Sequence, residues 1–545
     1  MEWRRRRCGP PSGSTHLQRL RAVGGTQFNG GVVNLSDLVA TSQDVASTRA
    51  RTAKVAALAT LLEKTAPDAL EVVVSYLGGQ VRQRRTGVGW RSLGDLPAPA
   101  EVSTLDVVAV DAALEEIAAF AGPGSQAART QALHALFGSA TAAEQAWLRG
   151  AITGELRQGA SDALVQEALA VRTGLPVADI RRAAMLAGST RAVAGAAVAG
   201  GAAALAAIGL EVGRPILPML AASAPTVAEA LAKLGASPDH PVAVEAKLDG
   251  IRIQAHRRGD DVLVVSRSLD DLTARLPAVV DVVRSLPGGD LVLDGEALLT
   301  DDAGRARPFQ ETSSRSATHG EVSPESSSDL GLQPYFFDVL HRDGRDLLDV
   351  SAAERAAELA DLVPPAHRLD RVVTGEPASA EQFVENVLRR GHEGVVVKDL
   401  AAPYAAGRRG SAWVKVKPVH TLDLVVLAVE WGSGRRRGWL SNIHLGARDP
   451  GGTDDFVMVG KTFKGMTDAM LTWQTERFLA LETHREGHVV HVRPEQVVEI
   501  AIDGVQRSTR YAGGAALRFA RVVGYREDKS PGEADTIDAV RALLH

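Results

Sequence analysis

The sequence predicts a multidomain chain: an all-α domain, then a mixed α/β domain, then a small β-barrel. Three observations carry that expectation. At 545 residues the chain is too long for one hydrophobic core and suits about three domains at roughly 150 residues each. From about Leu35 to Leu210 apolar residues recur at three- and four-residue intervals, the signature of amphipathic helices. After Pro215 and Pro218 the rhythm changes to short β-rich runs, the signature of strands.

The opening "MEWRRRRCGPPSGSTHLQRLRAVGG" has the basic start of a signal peptide but no apolar stretch behind it. Residues 1–32 are therefore expected to be a disordered leader, or the product of a start placed too early. Residues 33–212 form the helical domain, with "VASTRARTAKVAALATLLEKTAPDALEVVVSYL" and "AAEQAWLRGAITGELRQGASDALVQEALAV" at helical spacing. Ala192 to Leu210 carries no charge and is about long enough to span a bilayer at ~20 residues. It is mostly Ala and Gly, which gain little on leaving water, so a closely packed helix pair is expected there rather than a membrane span.

Residues 213–419 alternate short strands (244–246, 251–256, 262–266, 290–293, 335–340, 394–398, 412–416) with helices (275–285, 351–362, 379–390). The Ser-rich stretch 312–329 reads as a loop. In 420–545 the strands "LDLVVLAVEW", "WLSNIHLGA", "FVMVGK", "HVVHV" and "VVEIAIDGV", with one helix at 467–481, suggest a small barrel. The oligonucleotide-binding (OB) fold is a common case of that architecture.

Composition narrows the class. Apolar content of 45% with 23% charged residues is ordinary for a soluble globular protein. A formal charge of −5 describes the average field and leaves room for local basic patches. A lone cysteine, Cys8, excludes a disulfide framework and a four-thiolate zinc site within one chain. A reducing, cytoplasmic setting fits. The fourteen histidines show no H-E-x-x-H spacing and receive no catalytic role.

The chemistry gathers where polar residues interrupt apolar strands. "EAKLDGIR" sets Lys247 at the end of a buried-looking run, and an ammonium taken out of water must be paired, lose its proton, or serve chemistry. Further along come Arg267 in "VVSRS", Glu296 in "LVLDGE", Phe337 in "YFFDVL", Glu393 and Lys398 in "HEGVVVKD", and Arg409, Lys415 and Lys417 in "GRRGSAWVKVKP". Lys415 and Lys417 lie two apart, on one face with Trp413, while Val414 and Val416 face the core. Two ammonium groups on one face call for an anion between them, and phosphate is the simplest.

Taken together, Lys-x-Asp-Gly, Ser-Arg, Asp-Gly-Glu, Phe-Asp, Glu-Gly-Val-x-x-Lys and Trp-x-Lys-x-Lys, with "LRFARVVGYREDKSPGEADT" near the end, resemble the ATP-dependent DNA ligases of the covalent nucleotidyltransferase superfamily, in their actinobacterial and archaeal form. "RQRRTGVGW" and "GELRQGA" resemble that family's helical DNA-binding domain. The resemblance covers nearly all the chain from about residue 33.

It implies that Lys247 attacks the ATP α-phosphate to give a lysyl-AMP, that AMP passes to the 5′-phosphate of nicked DNA, and that the 3′-hydroxyl displaces it. It also implies that Glu245 orients the base, Phe337 stacks on adenine, Arg252 and Arg267 contact phosphate or ribose, and Lys415 and Lys417 neutralise the α-phosphate, with Arg409 beside them. Glu296 and Glu393 become ligands for Mg²⁺ or Mn²⁺. Arg518, Arg521 and "REDKSP" resemble the element that swings the barrel over ATP. The expected partner is nicked double-stranded DNA, encircled by a monomer, with "GSGRRRGW" at 432–439 as one basic turn suited to phosphates. An RNA ligase, an mRNA-capping guanylyltransferase and a non-catalytic DNA-binding scaffold stay open as alternatives at this point. The helical domain and the intact lysines and glutamates favour the DNA ligase.

Overall fold

A computed structural model of the chain describes residues 31–83, 85–156, 158–300, 307, 332–405, 409–433, 436–451 and 455–544, with the backbone alone for 409–411. The Ser-rich segment 312–329 and all but the last two residues of the leader lie outside them.

Nine α-helices among the described residues occupy the stretch from Leu35 to Ala206. Their apolar faces close on one core that includes Leu38, Leu62, Tyr76, Leu114, Phe137, Trp147 and Leu169. The Ala/Gly run forms the helix Thr190–Ala206, split in two by a kink at Gly201 (φ 60°, ψ −150°). Val193, Ala194 and Ala197 are buried, and the helix packs against Leu70–Leu77 and Val177–Leu186. No helix among the described residues is long and apolar enough to cross a membrane.

Ten strands follow: β1 (Leu220–Ala224), β2 (Val242–Lys247), β3 (Ile251–Arg258), β4 (Asp261–Ser266), β5 (Leu291–Leu299), β6 (Leu332–Arg342), β7 (Arg345–Asp346), β8 (Arg371–Thr374), β9 (Gly394–Asp399) and β10 (Arg409–Val416). They make two five-stranded sheets, ordered β1-β10-β9-β2-β8 and β4-β3-β5-β6-β7. The pairs are antiparallel except β1 with β10. Helices Val227–Leu234 and Pro377–Arg389 cover the first sheet over Val242, Val244, Val395, Val397, Val414 and Val416. Helices Pro277–Ser285 and Ala352–Leu362 cover the second over Ile253, Ala255, Leu293 and Phe336. Both sheets thus turn an apolar face to helices, while their other faces border a cleft and, around Val292, Leu340 and Trp413, pack against Val212, Ile216 and Met219.

Gln254 and His256, on the polar face of β3, are buried. Gln254 accepts from the Ile216 N–H at 2.9 Å and donates back to the Ile216 carbonyl at 3.2 Å, and the Gly213 N–H donates to His256 Nδ1 at 3.1 Å. The segment joining the helices to the sheets is therefore laced to β3.

The C-terminal strands are β11 (His420–Trp431), β12 (Leu440–Arg448), β13 (Phe456–Thr462), β14 (Glu482–Glu486), β15 (Val489–Val492), β16 (Val497–Ile502), β17 (Gly504–Arg507), β18 (Ala515–Arg518) and β19 (Arg521–Arg526). The long β11 pairs with β12, β15 and β16, and its register shifts twice against β12. One strand can therefore serve several neighbours while the sheet curls around Leu424, Leu445, Val459, Phe478 and Ile500. Helix Asp468–Ala480 lies against β12 and β15. Strands β1, β7, β8, β14, β18 and β19 escape the sequence reading, and β17 is caught only at its first two residues, at the end of "VVEIAIDGV". β1 is built of small residues and β14 is almost wholly exposed, so neither shows apolar alternation.

Candidate active site

Alternation along β2 decides where Lys247 stands. Val242, Val244 and Ala246 point into the helix-covered core, so Ala243, Glu245 and Lys247 point the other way. The chain then turns through Leu248, Asp249 and Gly250 into β3, which belongs to the other sheet. A Cβ on Gly250 would lie 2.5 Å from the Ala297 carbonyl oxygen and 2.9 Å from Glu296 Cγ. The turn therefore needs glycine to lie flat on β5, and from there the Gly250 N–H donates to Glu296 Oε1 at 3.2 Å. That contact gives the glycine of Lys-x-Asp-Gly a physical reason.

Between the sheets lies a cleft of about 270 Å³. Glu245, Lys247, Arg252, Arg267, Glu296, Phe337, Lys415 and Lys417 all line it. Glu393 is not on its lining, but its carboxylate reaches two of the lysines. The side chain of Arg409 lies outside the described residues. Residues that sequence reasoning left without a role also line the cleft: Leu220, Ala221, Leu369, Val396, Lys398 and Trp413.

Glu393 lies between Lys247 and Lys417, a different pair from the Lys415 and Lys417 for which the sequence called for an anion. One oxygen holds Lys247 Nζ and the other Lys417 Nζ, while its backbone N–H donates to the Lys247 carbonyl at 3.0 Å. Burial pushes the Lys247 ammonium below its ordinary pKa; Glu296 and Asp249 pull it back up, and Arg267 and Arg252 add to the fall. Lys417 drops to about 8, through burial first and then the charge of Lys247, against Asp503 and Asp249. Glu296 rises to about 7, because burial and Asp294 outweigh Lys247, Arg252 and the Gly250 N–H.

Deeper in the cleft, Glu245 is almost wholly buried and pairs with Arg371 and Lys398, the latter at 2.6 Å. Lys398 donates to the Phe337 carbonyl at 3.2 Å, and its Nζ stands 4.4 Å and 4.8 Å from the ring centroids of Trp413 and Phe337. Those rings meet edge to face at 6.0 Å. Arg252 is bidentate to Asp294 (3.0 and 2.7 Å) and donates to the Met219 carbonyl at 2.7 Å. Burial opposes its charge, but Asp294 more than compensates and holds its pKa up. Tyr404 completes the set: its hydroxyl donates to Asp294 at 2.8 Å and accepts from the Met219 N–H at 3.0 Å. Asp294 shares a face of β5 with Glu296, a spacing the sequence shows. Tyr404 sits in an irregular segment and leaves no such trace.

The carboxylates differ as cation ligands. Glu296 fits one: it is held near neutrality by burial, and a divalent cation would favour its charged form. Glu393 is already satisfied by two ammonium groups, and a cation there must displace one of them.

The C-terminal segment reaches this region through β18. Arg518 on β18 donates to Asp249 Oδ2 at 3.0 Å, and Arg521 meets Asp503 at 3.5 Å. The helical segment touches both other parts: Arg182 is bidentate to Asp349 at 2.7 and 2.6 Å, and Arg49 reaches Asp468 at 3.5 Å. In the basic turn 432–439, Gly434 and Arg435 lie outside the described residues, and Arg436 donates to the Phe463 carbonyl.

Comparison with known proteins bears on all three segments. Family models match residues 218–417 as the ATP dependent DNA ligase domain, 436–529 as the ATP dependent DNA ligase C terminal region, and 95–170 as the DNA ligase N terminus. A protein of Nocardioides sp. named "Probable DNA ligase" is 64% identical over 519 residues, covering 94% of this chain and 99% of its own length. One of the same name from Kineococcus radiotolerans is 62% identical over 512 residues, covering 93% and 99%. The solved structure Pmar-Lig_Pre, 17% identical, superposes over 90% of this chain and 99% of its own with a TM-score of 0.59, a likeness of fold.

Proposed function

This chain belongs to the ATP-dependent DNA ligases, enzymes that seal nicks in duplex DNA through a lysyl-AMP, and from that membership we propose that Lys247 is the residue adenylylated. Its nucleotidyltransferase core and OB-fold C-terminal region are those of the family. Of the alternatives the sequence leaves open, membership selects the DNA ligase over the RNA ligase, the capping enzyme and the scaffold. The observation that carries the residue assignment is the position of the Lys247 amine. It lies at the junction of two sheets, part-buried, in a cleft shared with Arg252, Arg267, Lys415 and Lys417.

In the first step the Lys247 nitrogen forms a bond to the α-phosphorus of ATP as the bond to the bridging oxygen breaks and pyrophosphate leaves. The amine must enter neutral, and at its reference pKa only about one lysine in a thousand is neutral at pH 7.4. Burial and the two arginines raise that fraction. While Lys247 is protonated, Glu393 balances it; once the amine is neutral, the carboxylate keeps Lys417. Lys415, Lys417 and Arg267 attract the triphosphate to this end of the cleft. Phe337 and Trp413 supply an aromatic wall for adenine, and Glu245, held by Arg371 and Lys398, orients the base.

In the second step an oxygen of the DNA 5′-phosphate attacks the adenylate phosphorus and the lysine leaves as the amine, taking up a proton. In the third the 3′-hydroxyl attacks the 5′-phosphorus and AMP departs. Glu296, with Glu393 once freed from a lysine, would hold Mg²⁺ or Mn²⁺, which supplies charge neutralisation at the reacting phosphates.

The enzyme binds nicked duplex DNA. The finer organisation we infer is a helical domain at 33–212 and an OB domain at 420–545 that grip the backbone on either side of the core at 213–419, as a cytoplasmic monomer. Binding then depends on phosphate contacts and weakens with salt. The test is to incubate the protein with ATP, GTP or NAD labelled in the nucleoside monophosphate. Label retained from ATP alone, absent in Lys247→Ala and discharged onto nicked duplex DNA supports the assignment. Label retained by Lys247→Ala overturns it.

A further inference from the structure

We propose that the β14–β15 hairpin of the C-terminal domain carries a binding site for a borderline-soft divalent transition metal, with Zn²⁺ as the type case, ligated by His484, Glu486 and His491. Its basis is register rather than sequence spacing. His484 and Glu486 are two apart on β14 and share a face, and His484 lies directly across from His491 on β15. The imidazoles stack with centroids 4.3 Å apart and planes within 6°. His484 Nε2 stands 3.8 Å from Glu486 Oε1, and His491 Nε2 stands 3.8 Å from Glu486 Oε2.

Those separations are too long for hydrogen bonds. They are near what one ion imposes on its ligands: at bonds of ~2.1 Å and tetrahedral angles, two donor atoms stand roughly 3.4 Å apart. One ligand atom from each residue lies within 4.8 Å of the others. His484 and Glu486 are 58% and 72% exposed, so a small side-chain rotation closes the set.

A second contact favours the ligating tautomer. The Thr483 hydroxyl donates to the His491 carbonyl at 3.1 Å, which leaves its oxygen to accept from His484 Nδ1–H at 3.2 Å. The His484 lone pair is then on Nε2, the atom facing Glu486. Arg485 points to the opposite face and is held by Glu482 at 2.6 and 2.7 Å, so it does not compete for Glu486. Two imidazoles with one carboxylate suit Zn²⁺, Ni²⁺ or Cu²⁺; Mg²⁺ prefers oxygen ligands. β14 is the edge strand of its sheet, and the ion would clasp it to β15. This site is separate from the cleft around Lys247 and makes no demand on the ligation chemistry.

The test titrates EDTA-treated full-length protein with Zn²⁺ alone by calorimetry, in wild type, His484→Ala, Glu486→Ala and the His484→Ala/His491→Ala pair. The expected result is binding by the wild type that weakens roughly tenfold or more in each variant, with Mg²⁺-dependent self-adenylylation unchanged. Absent binding, equal binding, or a smaller loss overturns the proposal. As a check independent of variant folding, the imidazole nitrogen resonances of intact wild type should show two histidines coordinating through Nε2 when Zn²⁺ is added. Two unshifted histidines overturn it as well.

Discussion

Arg518 of the C-terminal domain donates to Asp249 at 3.0 Å, two residues along the chain from Lys247. The barrel thus holds the turn that presents the nucleophile. That grip concerns the geometry of attack on ATP, and a small misplacement of reacting atoms costs on the order of a hundredfold. Arg518→Ala is expected to slow lysyl-AMP formation by roughly tenfold to a hundredfold while leaving the sealing of a pre-adenylated nick largely intact. Rapid-quench measurement of both steps decides it, and equal losses in the two would contradict this role.

Lys417 gives the cleft a pH dependence. Its amine is held at about 8 rather than 10.5 by burial and by the neighbouring charge of Lys247. A triphosphate prefers the charged form, so ATP affinity of the free enzyme should fall as pH rises through 8, by at most about tenfold per unit. Lys417→Arg stays charged, and its affinity should change less over the same range. Calorimetry with a non-hydrolysable ATP analogue from pH 7 to 9 measures both, and identical slopes would rule the assignment out. For stability the sign is opposite to that of a favourable ion pair. The folded state binds fewer protons than the unfolded between about 8 and 10.5, so this group's unfavourable contribution is full below 8 and is relieved as pH rises through that window.

Glu296 carries a cost that an amide would remove. With its pKa raised from 4.5 to about 7, the folded state binds more protons than the unfolded across that window. Its contribution is neutral below 4.5, grows unfavourable as pH rises, and is complete above 7, on the order of 1–3 kcal/mol. Glu296→Gln should therefore be more stable than wild type at pH 8 and no more stable at pH 4.5, while self-adenylylation falls by roughly a hundredfold. Denaturant unfolding at the two pH values checks the first part. A variant less stable at pH 8 would show that the carboxylate is stabilising.

How much of this was legible depends on whether a residue's partner lies on its own strand. Alternation placed Lys415, Lys417 and Trp413 on one face with Val414 and Val416 behind them, and the structure has that arrangement. The structure itself sets Phe336 fully in the core and Phe337 on the cleft. Period two is a local property, so the sequence carries it. Glu393 clasping Lys247 and Lys417, or Arg371 and Lys398 closing on Glu245, joins neighbouring strands and turns of one sheet that are distant in sequence, and no local pattern encodes such pairs. The same holds for His484 and His491, whose spacing is unremarkable until β14 and β15 are set in register. The Ser-rich and basic loops gave composition signals only; the first lies outside the described residues, as do Gly434 and Arg435 of the second.

Tyr404 is a residue whose role comes from the fold alone, and its phenol can be removed without changing its volume much. The hydroxyl is buried, donates to Asp294 and accepts from the Met219 N–H, and burial with the Asp294 charge holds its proton on well past the ordinary range. Tyr404→Phe would leave the Met219 N–H without that acceptor and take one donor from a carboxylate that anchors Arg252. Unsatisfied buried groups cost about 1–3 kcal/mol. The ring would stay edge-on to Trp413, at 5.9 Å and 87° in the wild type, so the loss should isolate the hydrogen bonds from the packing. Arg252 is bidentate to Asp294 in the wild type, and a carboxylate short of one donor would position it less firmly, so the KM for ATP should rise with the adenylylation rate at saturating ATP nearly preserved. Tyr404→Leu should lose the same stability and more, because the ring contacts go as well. Denaturant unfolding and ATP titration of the two variants separate these terms. A Tyr404→Phe enzyme with wild-type stability and KM would mean that water or backbone shifts satisfy Met219 and Asp294 without the phenol.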